Sequence, residues 1–283
     1  MYIFGAVAMI ANDINLHFCK FLVCISPKNR IFATFYLVYV PLTTDNIHDK
    51  TTTKQNILTM DSIKILQDTV KARHSVRQYT DQSIANKVVT ALQDRIKAIN
   101  AESGLHLQLV VNEPQAFDSF MAHYGKFSGV SNYLALIGSG DRLDERCGYY
   151  GEQVVLLAQQ LGLNSCWVGM TFKKVVSALD IRRGEKLTAV VALGYGQTQG
   201  VSHKVKTISE VSSCSGAMPD WFRQGVECAL LAPTAMNQQK FRFELLGDKV
   251  RATASWAPFS KMDLGIVKYH FELGAGVGPA VWA

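Results

Sequence analysis

Two segments of the chain predict helices that belong in a protein interior, and they constrain the fold more than any other feature of the sequence. Residues 151–161 form a helical pattern with almost no polar face, and residues 263–276 predict a second buried helix. The composition agrees with a packed core, because 48% of the 283 residues are apolar and 18% are charged. This apolar fraction excludes a disordered chain, and 21 Gly and 7 Pro are too few for a collagen-like or linker sequence.

The elements around the first buried helix follow a regular order. A helix over about residues 61–71 precedes an extended stretch, and Thr80-Asp81 is predicted to cap a second helix that ends at Gly104. The apolar stripe of that helix consists of Ile84, Val88, Leu92, Ile96 and Ile99. Apolar runs predict strands over residues 105–111, 133–137 and 187–193.

The second half of the chain repeats this order in weaker form. Helix, strand, strand and buried helix are predicted over residues 219–231, 241–246, 251–255 and 263–276. Gly151 and Gly162 are 11 residues apart, as are Gly265 and Gly276, although chance spacing of glycines is an alternative explanation. We interpret residues of about 62–200 and 217–283 as half-repeats of one domain.

The first 59 residues differ from the rest of the chain. Their apolar runs, at residues 2–11, 18–25 and 31–42, all end before the roughly 20 residues that a membrane-spanning helix needs, and residues 43–59 are polar. We expect this extension to lie outside the working fold, with a natural start at Met60. The alternative is a membrane-associating extension.

Cysteine, histidine and charge exclude several classes of site. The six cysteines (Cys19, Cys24, Cys147, Cys166, Cys214 and Cys228) form no CxxC pair and predict reduced thiols of a cytoplasmic protein. The seven histidines form no metal-binding motif, so no metal site is predicted. The net charge of +6 is a weak signal for nucleic acid, and a few cations directed at one anionic ligand explain it equally well.

The segment Arg73-His74-Ser75-Val76-Arg77 predicts an anion-binding face. In an extended conformation Arg73, Ser75 and Arg77 share one side, and His74 and Val76 share the other. Two guanidiniums and a hydroxyl are suited to a phosphate or a polarised carbonyl. A solvated basic strand edge is the alternative.

The segment at residues 232–239, with the sequence APTAMNQQ, predicts a ligand-binding loop after a helix. The Thr234 hydroxyl and three consecutive side-chain amides could satisfy the donors and acceptors of a planar heteroaromatic ligand. An ordinary helix-terminating turn is the alternative.

Together, RHSVRQY, APTAMNQQ and the segment GLNSCWVG at residues 162–169 resemble the flavin-dependent nitroreductase family, and most closely its TM nitroreductase branch, which carries two half-repeats in one chain. The resemblance covers about residues 62–276. It implies an α+β fold with a central, mostly antiparallel sheet flanked by helices, and an internal pseudo-dimer.

The resemblance also implies an FMN site between the halves. Its first motif, which contacts the phosphate, ribityl chain and pyrimidine edge, matches Arg73, Ser75 and Arg77. The loop that the opposite subunit normally supplies matches Pro233, Thr234, Ala235 and Asn237. Backbone contacts near flavin N5 match Val168 and Gly169, where family members often have Glu in place of Val168. The basic pair near the phosphate matches Lys204 and Lys206.

The activity implied is that of an FMN-dependent oxidoreductase that uses NADH or NADPH and reduces nitroaromatics, quinones or similar acceptors by a ping-pong reaction. The flavin would carry the chemistry, so no catalytic side chain is predicted, and Asp263, His270 and Glu272 are interpreted as structural. The expected partner is a small-molecule acceptor, with no nucleic acid and no membrane for residues 60–283, in a monomer or a homodimer. A non-catalytic flavin-binding or flavin-storing protein and a basic interaction module are the alternatives.

Overall fold

The structure, a computed structural model, describes residues 60–283, with side chains from Lys64 onward. The predictions about residues 1–59, including Cys19 and Cys24, lie outside the described residues. Among the residues described, no helix has the length and apolar character needed to cross a membrane, and no group of His, Cys, Asp and Glu side chains could hold a metal ion.

Residues 60–194, the first segment, build a four-stranded antiparallel sheet with helices around it. Its strand order is β1-β2-β4-β3. The elements are α1 (Met60–Ala72), α2 (Asn86–Ser103), β1 (Gln108–Val110), α3 (Phe120–Tyr124), β2 (Asn132–Gly138), α4 (Leu143–Gln160), β3 (Asn164–Val168) and β4 (Lys186–Gly194). Every residue of β2 is buried, as a continuous apolar run covered on both faces requires.

Residues 208–275, the second segment, build a smaller, three-stranded sheet. Its elements are α5 (Ile208–Val211), β5 (Ser212–Ser213), α6 (Asp220–Leu230), β6 (Phe241–Leu246), β7 (Lys249–Ala254) and α7 (Ser260–Ala275). Strand β5 pairs with β6 in parallel, and β6 pairs with β7 in antiparallel fashion. The predicted α+β class is confirmed, and the mostly antiparallel strands lie in two sheets, one in each segment.

The predicted start of α2 is wrong. Thr80 does not cap this helix, because its backbone N–H and its hydroxyl both donate to the carbonyl of Tyr195 at the end of β4. These two bonds keep the chain non-helical until the helix begins at Asn86. The predicted stripe is correct, since all five of its apolar residues are buried.

The buried helices α4 and α7 cross at two glycines. A Cβ atom on Gly148 would overlap the carbonyl oxygen of Met262, and one on Gly265 would overlap the carbonyl oxygen of Glu145. The separation along the chain between Gly148 and Gly265 equals the separation between Glu145 and Met262. If α4 is aligned with α7 by this separation, each of the two glycine contacts is the counterpart of the other. This relation aligns Gly148, and not Gly151, with Gly265, while the division into half-repeats stays a prediction.

Candidate functional site

The segment after α1 runs beside β3 in extended conformation, as predicted. The Val76 N–H donates to the carbonyl of Ser165 at 3.0 Å, and Ser75 forms an isolated parallel bridge with the same residue. Val76 is buried in the core below the sheet, which fixes the orientation of the segment. The alternation of side chains follows from this anchor.

The three predicted polar residues of this segment all affect the pKa of one thiol. Burial raises the pKa of Cys166 in β3, while the charges of Arg77 and Arg73 and a hydrogen bond from Ser75 act in the opposite direction. Arg73, Ser75 and Arg77 therefore lie within electrostatic or hydrogen-bonding range of Cys166 in β3. Arg77 is exposed, with its guanidinium carbon 6.0 Å from the ring centroid of Phe127.

Arg73 is the most unusual of them, because its side chain is buried. Arg73 as a whole is 2% exposed. Its Nε lies 4.0 Å from Oε1 of Glu152 in α4, a distance too long for a hydrogen bond. Nε and Nη1 are both buried and make no hydrogen bond to the described residues. Buried polar atoms are almost always paired, so these donors are suited to a ligand.

Glu152 is held by two other neighbours. Its Oε2 accepts a hydrogen bond from Trp167 Nε1 at 2.9 Å, and its Oε1 lies 2.8 Å from Nε2 of His270 in α7. A carboxylate only accepts, so this imidazole nitrogen is the donor. Glu152 and His270 are both fully buried.

The loop after β4 packs on the Arg73–Arg77 segment. A Cβ on Gly200 would come within 2.8 Å of the His74 Cβ, and the positive φ of 74° at this position also favours glycine. The pKa of His74 is lowered by burial and then by the charges of Arg73 and His203. The Gly200 contact places the loop that leads to the predicted lysine pair beside the arginine segment, and the charge of His203 acts on His74.

The loop after α6 is tied to the lysine pair. The Lys204 carbonyl accepts hydrogen bonds from Asn237 Nδ2 and Gln239 Nε2, both at 2.8 Å. Lys206 bonds Gln239 through its backbone N–H and its Nζ. The ammonium of Lys206 is therefore engaged within the loop, whereas Lys204 is exposed.

The start of α7 holds the same loop from the other side. Asp263 Oδ1 accepts from the Ala235 N–H at 3.0 Å, and Oδ2 accepts from Gln238 Nε2 at 2.8 Å. The ring of Phe259, which precedes α7, packs directly against Gly169 after β3. The end of β3 and the loop after α6 therefore both border the beginning of α7.

The structure thus brings the predicted segments into one neighbourhood through a chain of contacts. Within it, Pro233 and Val168 are buried, Thr234 Oγ1 accepts from the Gln239 N–H, and Asn237 is exposed. Sequence reasoning missed Glu152, Phe259 and the contact that His270 makes with Glu152. The one available signal was an acidic residue at position 152 within an otherwise apolar helix.

A cavity of about 820 Å³ lies elsewhere, at the start of α4, and is lined in part by Arg142, Lys186 and Lys261. It contains none of the predicted site residues. The candidate site is accordingly defined by its buried guanidinium and its loops.

Comparison with known proteins identifies the family of the chain. Residues 65–275 match the family described as Putative TM nitroreductase. The chain belongs to this nitroreductase family. A nitroreductase from Thermotoga maritima is 19% identical to this chain, and the two structures align with a TM-score of 0.52. The alignment covers 80% of this chain and 88% of the Thermotoga maritima protein, so the two proteins share a fold.

Other solved nitroreductases align with about half of the chain. One with bound FMN from Bacteroides fragilis is 23% identical, with a TM-score of 0.38 over 50% of this nitroreductase chain and 93% of its own. The search of curated proteins gave no match.

Proposed function

We propose that this nitroreductase-family chain binds FMN, oxidises NADH or NADPH, and reduces small electron-poor acceptors such as nitroaromatics or quinones. The observation that carries the proposal is the buried Arg73 guanidinium, whose Nε and Nη1 make no hydrogen bond to the described residues. A guanidinium of this kind is suited to a phosphate or a polarised carbonyl, and FMN offers both.

The residues present fit such a ligand. Arg73, Ser75 and Lys204 would take the phosphate and ribityl chain, because Gly200 and His203 connect their segments. Arg77 would meet the pyrimidine edge, and the loop carrying Thr234 and Asn237 would border the ring from the other segment. Lys206 would contribute by holding that loop through Gln239.

The protein's own part in the reaction is to bind, orient and shield. FMN, when bound, supplies hydride chemistry at N5, alternately with the nicotinamide and with the acceptor in a ping-pong sequence. The Gly169 backbone N–H is a donor that could face this part of the ring, and the Phe259 ring packs against this glycine. A site of this kind within one chain is compatible with a cytoplasmic monomer or homodimer.

The first experiment is the colour of the purified protein. Yellow protein that loses its colour with NADH or NADPH, and regains it with a nitroaromatic or quinone, would support the proposal. Yellow protein that no nicotinamide bleaches would favour a flavin-binding or flavin-storing protein. Protein that stays colourless with excess FMN would refute the proposal.

The site assignment is tested by the double variant Arg73→Ala plus Arg77→Ala. The FMN content should fall well below that of the wild type, because both guanidiniums of the segment are lost. The matched control is Arg182→Ala plus Arg183→Ala, two exposed arginines near the opposite end of β4, which should retain FMN. Equal FMN content in all three proteins would contradict the assignment.

A further inference from the structure

Arg73 and Glu152 form a buried ion pair that lacks the usual hydrogen bond. Their side chains are 1% and 0% exposed, and the shortest distance between them is 4.0 Å. Most buried carboxylates beside an arginine would accept directly from it, because a charge removed from water needs compensation. Here the two oxygens of Glu152 accept instead from Trp167 and His270.

This arrangement separates charge compensation from hydrogen bonding. At 4.0 Å the carboxylate still neutralises much of the guanidinium's charge, because the interaction is weakly screened in the interior. The donors Nε and Nη1 of Arg73 are left without a partner among the described residues. The hydrogen bonds from His270 Nε2 and Trp167 Nε1 satisfy Glu152 without engaging these two donors.

Building on the proposed FMN site, we propose that Glu152 is a buried counter-charge for Arg73 that sets how strongly the site prefers a phosphorylated flavin to an unphosphorylated one. Glu152 keeps the guanidinium buried before a ligand binds, and it leaves the donors free for the ligand's anionic group. The negative charge of Glu152 also repels the ligand's anionic group. Glu152 therefore limits the preference of the site for the phosphorylated flavin. Trp167 and His270 are positioning residues, because they act only through the carboxylate.

The opposing charge predicts variants with effects of opposite sign. Glu152→Gln keeps the shape of the side chain and one acceptor oxygen but removes the negative charge. The ratio of FMN affinity to riboflavin affinity should rise by about tenfold, which is the order expected for a unit charge roughly 10 Å from the phosphate at an effective dielectric constant of about 20. Arg73→Met should lower the same ratio by a similar factor or more.

The measurement is the dissociation constant of each flavin for the apoprotein, from quenching of flavin fluorescence on binding. A purely structural role for Glu152 would weaken both flavins together and leave the ratio unchanged. Glu244→Gln is the matched control, because Glu244 is exposed and paired with Arg251 on the second sheet. Its ratio should equal that of the wild type.

A second pair of variants tests the same point if Glu152→Gln does not fold. Arg73→Met plus Glu152→Met removes both buried charges, and its ratio should exceed that of Arg73→Met alone. An unchanged or lowered ratio on removal of Glu152, in a wild-type chain that prefers FMN, would overturn the inference and leave the proposed function standing. A wild-type chain that binds neither flavin would refute the proposed function itself.

Discussion

Asp263 is the residue whose protonation should be measurable in the stability of the folded chain. Burial raises the pKa of its carboxyl from 3.8 to about 6, although hydrogen bonds from Gln238 and the Ala235 N–H act in the opposite direction. The residue is 5% exposed, so little solvent screening reduces the effect. Its pH dependence therefore reports directly on the environment at the start of α7.

The sign follows from the proton affinities of the two states. A raised pKa means that the folded chain binds this proton more tightly than the unfolded chain does. The stabilisation is fully present below pH 3.8 and is lost as the pH rises through about 6. The difference in pKa corresponds to about 3 kcal/mol, most of which is lost between pH 4 and pH 6.5.

The assay compares wild type with Asp263→Asn by urea unfolding, followed by tryptophan fluorescence between pH 4 and pH 7. All other titrating groups are common to both proteins, so the difference in their free energies of unfolding isolates Asp263. As the pH rises from 4 to 7, the wild type should lose about 2 to 3 kcal/mol of its free energy of unfolding relative to Asp263→Asn. The exposed Asp248→Asn is the matched control for loss of one carboxylate.

Two results would refute this reasoning. A difference between wild type and variant that stays constant from pH 4 to pH 7 would mean that folding does not raise the pKa of Asp263. A shift in favour of the wild type at high pH would mean that the two hydrogen bonds outweigh burial. Either result would place the carboxyl in a more polar site than the contacts with Ala235 and Gln238 indicate.

Three further perturbations have definite expected outcomes. Gly148→Ala and Gly265→Ala should each destabilise by about 1–3 kcal/mol in urea unfolding because the new methyl overlaps the facing backbone, and their double variant should lose less than the sum because the helices separate only once. Tyr149→Phe removes a 2.7 Å hydrogen bond to Glu272, a carboxyl whose pKa is raised by burial, and should cost about 1.5–3 kcal/mol at pH 7. Phe271→Ala should cost about 3–5 kcal/mol by calorimetry, since this fully buried ring packs against Phe222, Phe243 and Trp282; a loss below 1 kcal/mol would contradict that packing.

Elements with strong local patterns were predictable from the sequence. Strand β6 has the predicted bounds, and the stripe of α2 from Val88 to Ile99 is buried, because in both cases periodicity and burial coincide. The first turn of α2 was not predictable. Thr80 has the chemistry of a helix cap, but a contact with Tyr195, more than 100 residues away, takes its bonding groups.

The sequence was enough to predict which segments border the candidate site, but few of the individual side-chain contacts within it. Arg73, Ser75 and Arg77 alternate along an extended chain, so a short motif was enough to place them beside one another. The counter-charge of Glu152 depends on the packing of α4 against α1 and α7, which no local pattern encodes. The same holds for Phe259, whose contact with Gly169 joins residues from the two segments.

The loop after α6 shows how packing changes the meaning of a motif. Its three consecutive amides were expected to meet a ligand, yet Gln238 bonds Pro258 and Asp263, and Gln239 bonds Lys204 and Asn237. Met236, Asn237 and Gln239 all have positive φ, a conformation that costs non-glycine residues about 1 kcal/mol or more each. The amides hold the loop in this conformation, and what remains for a ligand is the backbone, the exposed face of Asn237 and the nearby cations. A loop made rigid by its own side chains loses little entropy on binding, so the motif can serve a flavin by fixing the loop's shape more than by direct contact.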